Sequence, residues 1–279
     1  MPNFTALDLT VVIPVKNEEA NLQNCLNAIG ADLAQKVVIV DSGSTDKTKS
    51  IAAQNNIEII DFQWNGTFPK KRNWYLRNYT PKTKWVLFLD ADEYLTEDFK
   101  KELRKSLTEH PEYEGFWLNY TIYFMGKKLK GGYPLKKLAL FQVGKGEYER
   151  IEEDHWSHLD MEIHEHPVLS GKVGAIKSKI DHRDFRGIAH YVAKHDEYAL
   201  WEAERYFKLF QNTDATAHLT WKQKLKYRLM KSIFIGPVYF IGSYIVMGGF
   251  RDGRRGFAFA VMKMAYFNQI YCLIKEKTK

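Results

Sequence analysis

Over the first hundred positions the hydrophobic residues come in short blocks separated by polar turns. The blocks are Leu9-Thr-Val-Val-Ile-Pro-Val15, Val37-Val-Ile-Val40, Ile57 to Phe62 and Trp85-Val-Leu-Phe-Leu89. They are β-rich and too short for helices, which predicts buried strands. Helix-length segments separate them, the first starting near Asn17. Strands alternating with helices imply a parallel sheet whose ligands sit at the carboxyl ends of the strands. Further on, the pattern predicts a helix from Glu97 to Glu109, a strand from Gly115 to Met125, a turn at Gly131-Gly132 and a strand near Leu138 to Gln142. These later strands are expected to be antiparallel additions. Ile188 to Asn212 reads as one long helix, and its stripe of Tyr191, His195, Tyr198, Trp201 and Tyr206 suits core packing better than a sugar platform.

The fourth block ends in Asp90-Ala-Asp92. Two carboxylates spaced i, i+2 at a strand mouth can turn toward one hard cation, Mg²⁺ or Mn²⁺, shared with substrate phosphates. Acids also end strands without binding anything, so the pair alone is weak evidence. It gains weight from Asp41, which ends the second block, and from Arg72 in Pro69-Lys-Lys-Arg-Asn73. Asp41, Arg72, Asp90 and Asp92 all fall on one predicted sheet edge. The competing reading of Lys70-Lys71-Arg72 is a solvated charge run, and that of Asp46 is a helix cap.

The segments V-V-I-P-V-K-N-E, V-D-S-G-S-T-D, K-R-N and F-L-D-A-D-E, in this order, resemble the inverting family 2 glycosyltransferases with a GT-A fold. The resemblance covers about residues 9 to 100 closely. It implies an α/β, Rossmann-like, mostly parallel sheet flanked by helices. It also implies nucleotide-sugar binding by Pro14, Asp41, Arg72 and Asp90, with UDP-hexose the expected donor. Asp41 would read the base, Arg72 would support the nucleotide or its diphosphate, and Asp90 and Asp92 would hold the metal. Ile163-His-Glu-His166, the His182 region and Gly249-Phe-Arg-Asp-Gly-Arg-Arg-Gly256 look like the lipopolysaccharide-core glucosyltransferase branch. His182 would then complete the metal shell, although a histidine hydrogen-bonded at a strand end is an equal reading.

Inverting transfer needs a base for the acceptor hydroxyl. Eight acids lie between Glu147 and Glu165, and most are expected on a solvated face. Glu165, between His164 and His166, matches the position of the family's base, with Glu162 and Asp160 as alternatives. Seven of the nine histidines lie between His155 and His195, so a zinc site from His155, His158, His164, His166 and His182 is a rival. It lacks the H-E-x-x-H spacing. Trp117, Tyr120, Tyr123, Tyr133 and Trp156 are the expected platforms for sugar rings.

The chain carries +7 net, but residues 221–279 hold twelve Lys or Arg against two acids. No charge falls between Ser232 and Phe250, cations flank that stretch, and a second apolar segment runs from Phe257 to Ile274. This composition suits docking on anionic headgroups, ahead of a true span or a packed helical pair. The aromatics sit in apolar runs, not between cations, which argues against nucleic acid as a partner. Cys25 and Cys272 form no redox or metal motif, and the N-terminus shows no secretory signal. The expected organisation is a catalytic domain over 1–220, with a nucleotide-sugar half to residue 100 and an acceptor half beyond it. A C-terminal helical membrane-associating appendage follows over 221–279. The expected protein is cytoplasmic and peripheral to the inner face of the cell membrane, acting on a glycolipid or saccharide acceptor. A nucleotidyltransferase is the enzyme alternative, though Pro14-Val-Lys-Asn17 lacks its glycine-rich phosphate loop. The non-enzyme alternative is a sugar- or lipid-binding adaptor.

Overall fold

The computed structural model describes residues 5–278 except 152, 154–156, 163–164, 185 and 212–220. The elements in chain order are β1 (Leu7–Val15), α1 (Leu22–Ile29), β2 (Ala34–Asp41), α2 (Thr48–Gln54), β3 (Glu58–Asp61), α3 (Lys71–Tyr79), β4 (Trp85–Phe88) and β5 (Glu93–Tyr94). There follow α4 (Glu97–Glu109), β6 (Tyr113–Phe124), β7 (Lys127–Lys128), β8 (Lys136–Gln142), β9 (Gly146–Tyr148), β10 (Pro167–Leu169) and β11 (Lys172–His182). Helices α5 (Gly187–Gln211), α6 (Trp221–Met230), α7 (Ile235–Ile241) and α8 (Gly253–Lys277) complete the chain. Two compact units result, one from Met1–Ile122 with Leu135–Phe185, the other from Tyr123–Pro134 with Arg186–Lys279.

In the first unit the sheet order is β3-β2-β1-β4-β8-β6-β11-β5. The pairs β1–β2, β1–β4 and β2–β3 are parallel, as the apolar runs predict. Strand β8 is antiparallel to both β4 and β6. The two later strands expected as antiparallel additions, β6 and β8, do pair antiparallel, while β11 runs parallel to β6. Leu9, Val11, Ile13, Leu87, Phe99 and Phe116 are fully buried in one core cluster. Each such side chain contributes about 1.5–3 kcal/mol on burial. Helix α4 starts as its sequence suggests: Thr96 Oγ1 accepts the Phe99 N–H, and Glu97 and Asp98 occupy the first turn.

The first helix starts at Leu22, not near Asn17. Asn17 has φ +56° and its backbone N–H donates to Ser44 Oγ at 2.8 Å, so a contact from 27 residues away holds it outside the helix.

The second unit has its own core of Ala203, Tyr206, Tyr227, Met230, Ile235, Phe267, Ile270 and Ile274. The segment Tyr123–Pro134 belongs to it: the backbone N–H groups of Lys130 and Gly131 donate to the Asp252 carboxylate, and Gly132 N–H to Met247 O at 3.0 Å. The uncharged stretch is not one straight helix. Helix α7 runs into a π-helical turn, Gly242–Val246, and then a 3₁₀ turn, Gly249–Asp252. Glycines sit at these breaks: Gly248 and Gly253 have φ +72° and +56°, and a Cβ on Gly249 would press on the Ser243 carbonyl. The run Gly249–Lys277 is long and apolar enough to cross a membrane by length and composition. Phe259, Ala260, Phe267, Ile270 and Ile274 of α8 are nevertheless buried within the unit.

Candidate active site

The chain winds outward from β1 to β3 and then returns to place β4 on the other side of β1. Such a reversal opens a crevice at the carboxyl ends of the two strands. Pro14 lies in that crevice. Val12 O accepts from Leu89 N on the β4 side, so Pro14, two residues on, turns its nitrogen to the same side beyond the last β1–β4 pair, Val12↔Phe88. Its missing N–H therefore costs no ladder bond. Asp41 ends β2 fully buried, and Ser44 donates to it through both N–H (3.1 Å) and Oγ–H (2.5 Å).

Residues 90–93 form a turn closed twice. Glu93 N–H donates to Asp90 O at 2.9 Å, and Asp90 N–H to Glu93 Oε2 at 3.1 Å. Both Asp90 side-chain oxygens meet cations: Arg72 Nη2 lies 2.7 Å from Oδ1 and Lys137 Nζ 2.6 Å from Oδ2. Lys137 also reaches Glu93 Oε1 at 2.5 Å. Burial by itself would raise the Asp90 carboxyl, but Lys137 and then Arg72 outweigh it and hold the group well below the usual carboxylate range. Burial likewise works against the Lys137 ammonium, and Asp90 and Glu93 hold it charged.

Strand β5 pairs with β11 so that His182 lies opposite Glu93, which carries the histidine to the Asp pair. His182 Nε2 is 3.4 Å from Asp92 Oδ2. Neighbouring ligands of an octahedral ion with bonds of roughly 2.1 Å lie about 3 Å apart, so these two side chains can share one Mg²⁺ or Mn²⁺. Among the described residues no group of three or more His, Cys, Asp or Glu is placed to hold a metal by itself. Asp90 is drawn instead to Arg72 and Lys137.

The run at the start of α3 is buried, not a solvated charge face: Lys70, Lys71 and Arg72 are 4%, 2% and 7% exposed. Each meets an acid from a different place. Lys70 pairs with Glu153 and lies 3.7 Å from Glu165 Oε1, Lys71 lies 3.3 Å from Asp160 Oδ2, and Arg72 holds Asp90. Lys71 also donates to Val15 O at the end of β1, at 3.0 Å. Arg72 donates through Nη1 to Glu162 O and stands over the Tyr148 ring. Its Nε–H is buried with no hydrogen-bond partner among the described residues.

The acids of the 147–165 segment are correspondingly not all on a solvated face, since Glu153, Glu162 and Glu165 are buried. Glu162 closes the α3 N-terminus, its two carboxylate oxygens accepting the Arg72 and Asn73 N–H groups at 3.1 Å each. That engagement sets it apart from Glu165, which forms an ion pair with the Lys70 side-chain ammonium.

Of the aromatic platforms, Tyr120 is 3% exposed and packs in the core, so it cannot stack on a sugar ring. Trp117 is half-buried against the His166 ring and Tyr133 is exposed. Trp156, His155 and His164 lie outside the described residues. Sequence reasoning missed Lys70, Lys71, Glu93, Glu153 and Lys137. Glu93 had a signal, following directly on the Asp pair; Lys137, one of two lysines opening β8, had none.

The model of the family described as Glycosyl transferase family 2 matches residues 10–155. The chain is 27% identical over 274 residues to the lipopolysaccharide core biosynthesis glycosyltransferase LpsC of Rhizobium meliloti (strain 1021), covering 93% of this chain and 89% of that protein. Among solved structures, S. aureus TarS 1–349 aligns over 96% of this chain and 91% of its own, with 16% identity and a TM-score of 0.42. Glucosyl-3-phosphoglycerate synthase from Mycobacterium tuberculosis, solved with Mn²⁺, UDP and glucosyl-3-phosphoglycerate, aligns over 42% of this chain and 44% of its own. Its identity is 22% and its TM-score 0.33.

Proposed function

Because the chain belongs to glycosyl transferase family 2, we propose that it is a metal-dependent, inverting hexosyltransferase. It takes its sugar from a nucleotide-sugar, UDP-hexose foremost, and delivers it to a glycolipid or polysaccharide precursor. The observation that carries this reading is the start of α3. Three consecutive cations there pair with Glu165, Asp160 and Asp90, so acceptor-side and donor-side carboxylates share one helix N-terminus.

The residues divide the work as follows. Pro14 and Asp41 line the nucleotide end, where Asp41 exchanges its Ser44 bonds for the base. Arg72 is held in place by Asp90 and Glu162 O, and its unspent Nε–H is a donor for a diphosphate oxygen. Asp92, with His182 beside it and Asp90, would hold the divalent ion. That ion, when bound, supplies charge stabilisation to the departing diphosphate. Inversion is a single displacement: the acceptor oxygen bonds to the anomeric carbon as the bond to the diphosphate breaks. Glu165 takes the hydroxyl proton. The lipopolysaccharide-core name of the LpsC relative supports the acceptor class.

Residues 1–100 and 101–220 serve as donor and acceptor halves in this reading, and 221–279 dock on the membrane from the cytoplasmic side. Phe234, Val238, Ile241 and Ile245 recur at i, i+4, i+7 and i+11 and are all exposed, whereas Ile235 and Gly236 are buried. Exposed Lys224, Arg228, Lys231, Arg251, Arg254 and Arg255 flank them in sequence. An apolar stripe with cations beside it fits an anionic lipid surface, each cation contributing ~1 kcal/mol near the headgroups.

A thermal-shift series with UDP and UDP-hexoses, with and without Mn²⁺, tests the enzymatic reading. UDP should stabilise the full chain in a Mn²⁺-dependent way. No nucleotide-dependent shift under either condition would overturn it.

A further inference from the structure

Lys137 has no place in the donor and acceptor roles above, yet it is the residue most tightly bound to the acidic turn. It sits on β8 opposite Leu118 of β6 and reaches across to two carboxylates at once, Asp90 Oδ2 at 2.6 Å and Glu93 Oε1 at 2.5 Å. Its side chain is 25% exposed, whereas that of Glu93 is 1% exposed. The Asp90 side chain is 21% exposed, so the ammonium bridges one part-exposed and one buried carboxylate. The hydroxyl of Tyr120, whose ring lies 5.4 Å from Nζ, is buried with no hydrogen-bond partner among the described residues.

We propose that Lys137 is the resident counter-cation of the Asp90–Glu93 carboxylates and makes capture of a divalent ion at this edge conditional on the nucleoside diphosphate. The inference rests on the reading of Asp90 and Asp92 as the metal-diphosphate end of the site. Asp90, Asp92 and Glu93 place three acids within four residues, and Arg72 and Lys137 return two positive charges directly onto Asp90. A bare divalent ion arriving there meets two cations already seated on one of its ligands. The same ion arriving with a nucleoside diphosphate forms a unit with a net negative charge. Its phosphate oxygens offer Arg72 and Lys137 new acceptors as Asp90 turns to the metal. Lysine suits this exchange because its charge is a compact point on a flexible stem, free to move from one oxygen to another. Lys137 is thus a positioning residue acting through Asp90, and the reaction itself takes no proton from it.

The test is Mn²⁺ binding to the full chain, followed by the electron paramagnetic resonance signal of free Mn²⁺, with and without UDP. The unmodified protein should bind Mn²⁺ weakly alone and at least ten-fold more tightly with UDP present. Lys137→Met, which keeps the stem and removes the charge, should bind Mn²⁺ alone at least ten-fold more tightly than the parent, and the gain from UDP should shrink. By thermodynamic reciprocity, the gain in UDP affinity from Mn²⁺ should shrink by the same factor in calorimetry. Lys137→Arg, which keeps the charge, should retain the parent's dependence on UDP. Equal binding of Mn²⁺ alone by the parent and Lys137→Met, with UDP-dependent binding intact in the parent, would overturn this proposal and leave the site reading standing. Failure of the parent to bind Mn²⁺ even with UDP would overturn both. Should Lys137→Met not fold by circular dichroism, Lys137→Gln carries the same comparison.

Discussion

Lys70 Nζ lies 3.7 Å from Glu165 Oε1 and pairs at the same time with Glu153, both carboxylates being buried. The base of the proposed reaction is thus held on a cation inside the protein, at the position next to Lys71 and two before Arg72. A carboxylate so held keeps a fixed direction, which proton transfer in a single displacement requires.

Glu165→Gln keeps the size of the side chain and removes its ability to accept a proton. UDP affinity, read by calorimetry, should be unchanged, while turnover falls by roughly 10²-fold or more. Normal turnover in Glu165→Gln together with loss in Asp160→Asn would move the base to Asp160.

Glu162 gives a contrasting result, because its work is structural. Its two oxygens accept the Arg72 and Asn73 N–H groups. Glu162→Ala strands both buried donors and should cost about 2 kcal/mol, a fall in Tm of roughly 4–8 °C for a protein of this size. Thermal denaturation followed by circular dichroism reads it, and an unshifted Tm would remove Glu162 from the helix-capping role.

Asp92→Asn should fold normally, since the residue closes a strand mouth and no core packing depends on its charge. The Mn²⁺-dependent part of UDP binding should disappear, with transfer lost at limiting Mn²⁺. Unchanged transfer in both Asp90→Asn and Asp92→Asn at limiting Mn²⁺ would sink the metal assignment.

Lys263 supplies a pH signature in the second unit. Burial lowers its ammonium to about 8, and its neighbours include the rings of Phe259 and Tyr266. A lysine depressed in the folded state costs stability while charged, so the cost is full below pH 8 and is relieved as pH rises from there toward the unfolded value near 10.4. Lys263→Met should therefore raise Tm at pH 7 and flatten the upward slope of stability over that window. Parallel pH–stability curves for the two proteins would refute the assignment.

The exposed stripe on α7 and its continuation can be tested without disturbing a core. Phe234→Glu with Ile241→Glu should leave Tm within about a degree and abolish co-sedimentation with anionic liposomes. Binding by the parent should weaken as salt rises, because the cationic share of the attraction is screened. Undiminished sedimentation of the double variant would mean that another surface docks.

The first hundred residues of the fold are legible because their strands are continuous apolar runs: β1, β2, β3 and β4 fall within a few residues of their blocks. The start of α1 is not, since Asn17 is held outside the helix by Ser44, a partner that no local pattern announces. The same limit governs the site. Asp90, Asp92, Arg72 and Glu165 carry motif signals, and the structure brings Arg72 to Asp90 and His182 to Asp92. The acids between 147 and 165 look like a wet surface because their neutralising cations stand some ninety residues earlier, at the start of α3. Lys137 escapes notice for the opposite reason: a single lysine in a strand has an ordinary local context, and only the fold delivers two carboxylates to it.

The hold of Asp252 on the N–H groups of Lys130 and Gly131 spans 122 residues of chain. A ribosome making this protein releases residues 123–134 long before the carboxylate that fastens them exists. The second unit therefore cannot close until residue 252 has been made, while the segments of the first unit are all in hand by residue 185. For the same reason residues 221–279 are not a detachable anchor. A chain cut after residue 220 would keep the inserted segment and lose Met247, Gly248 and Asp252, on which it rests, and a clean soluble form would need that insert shortened as well.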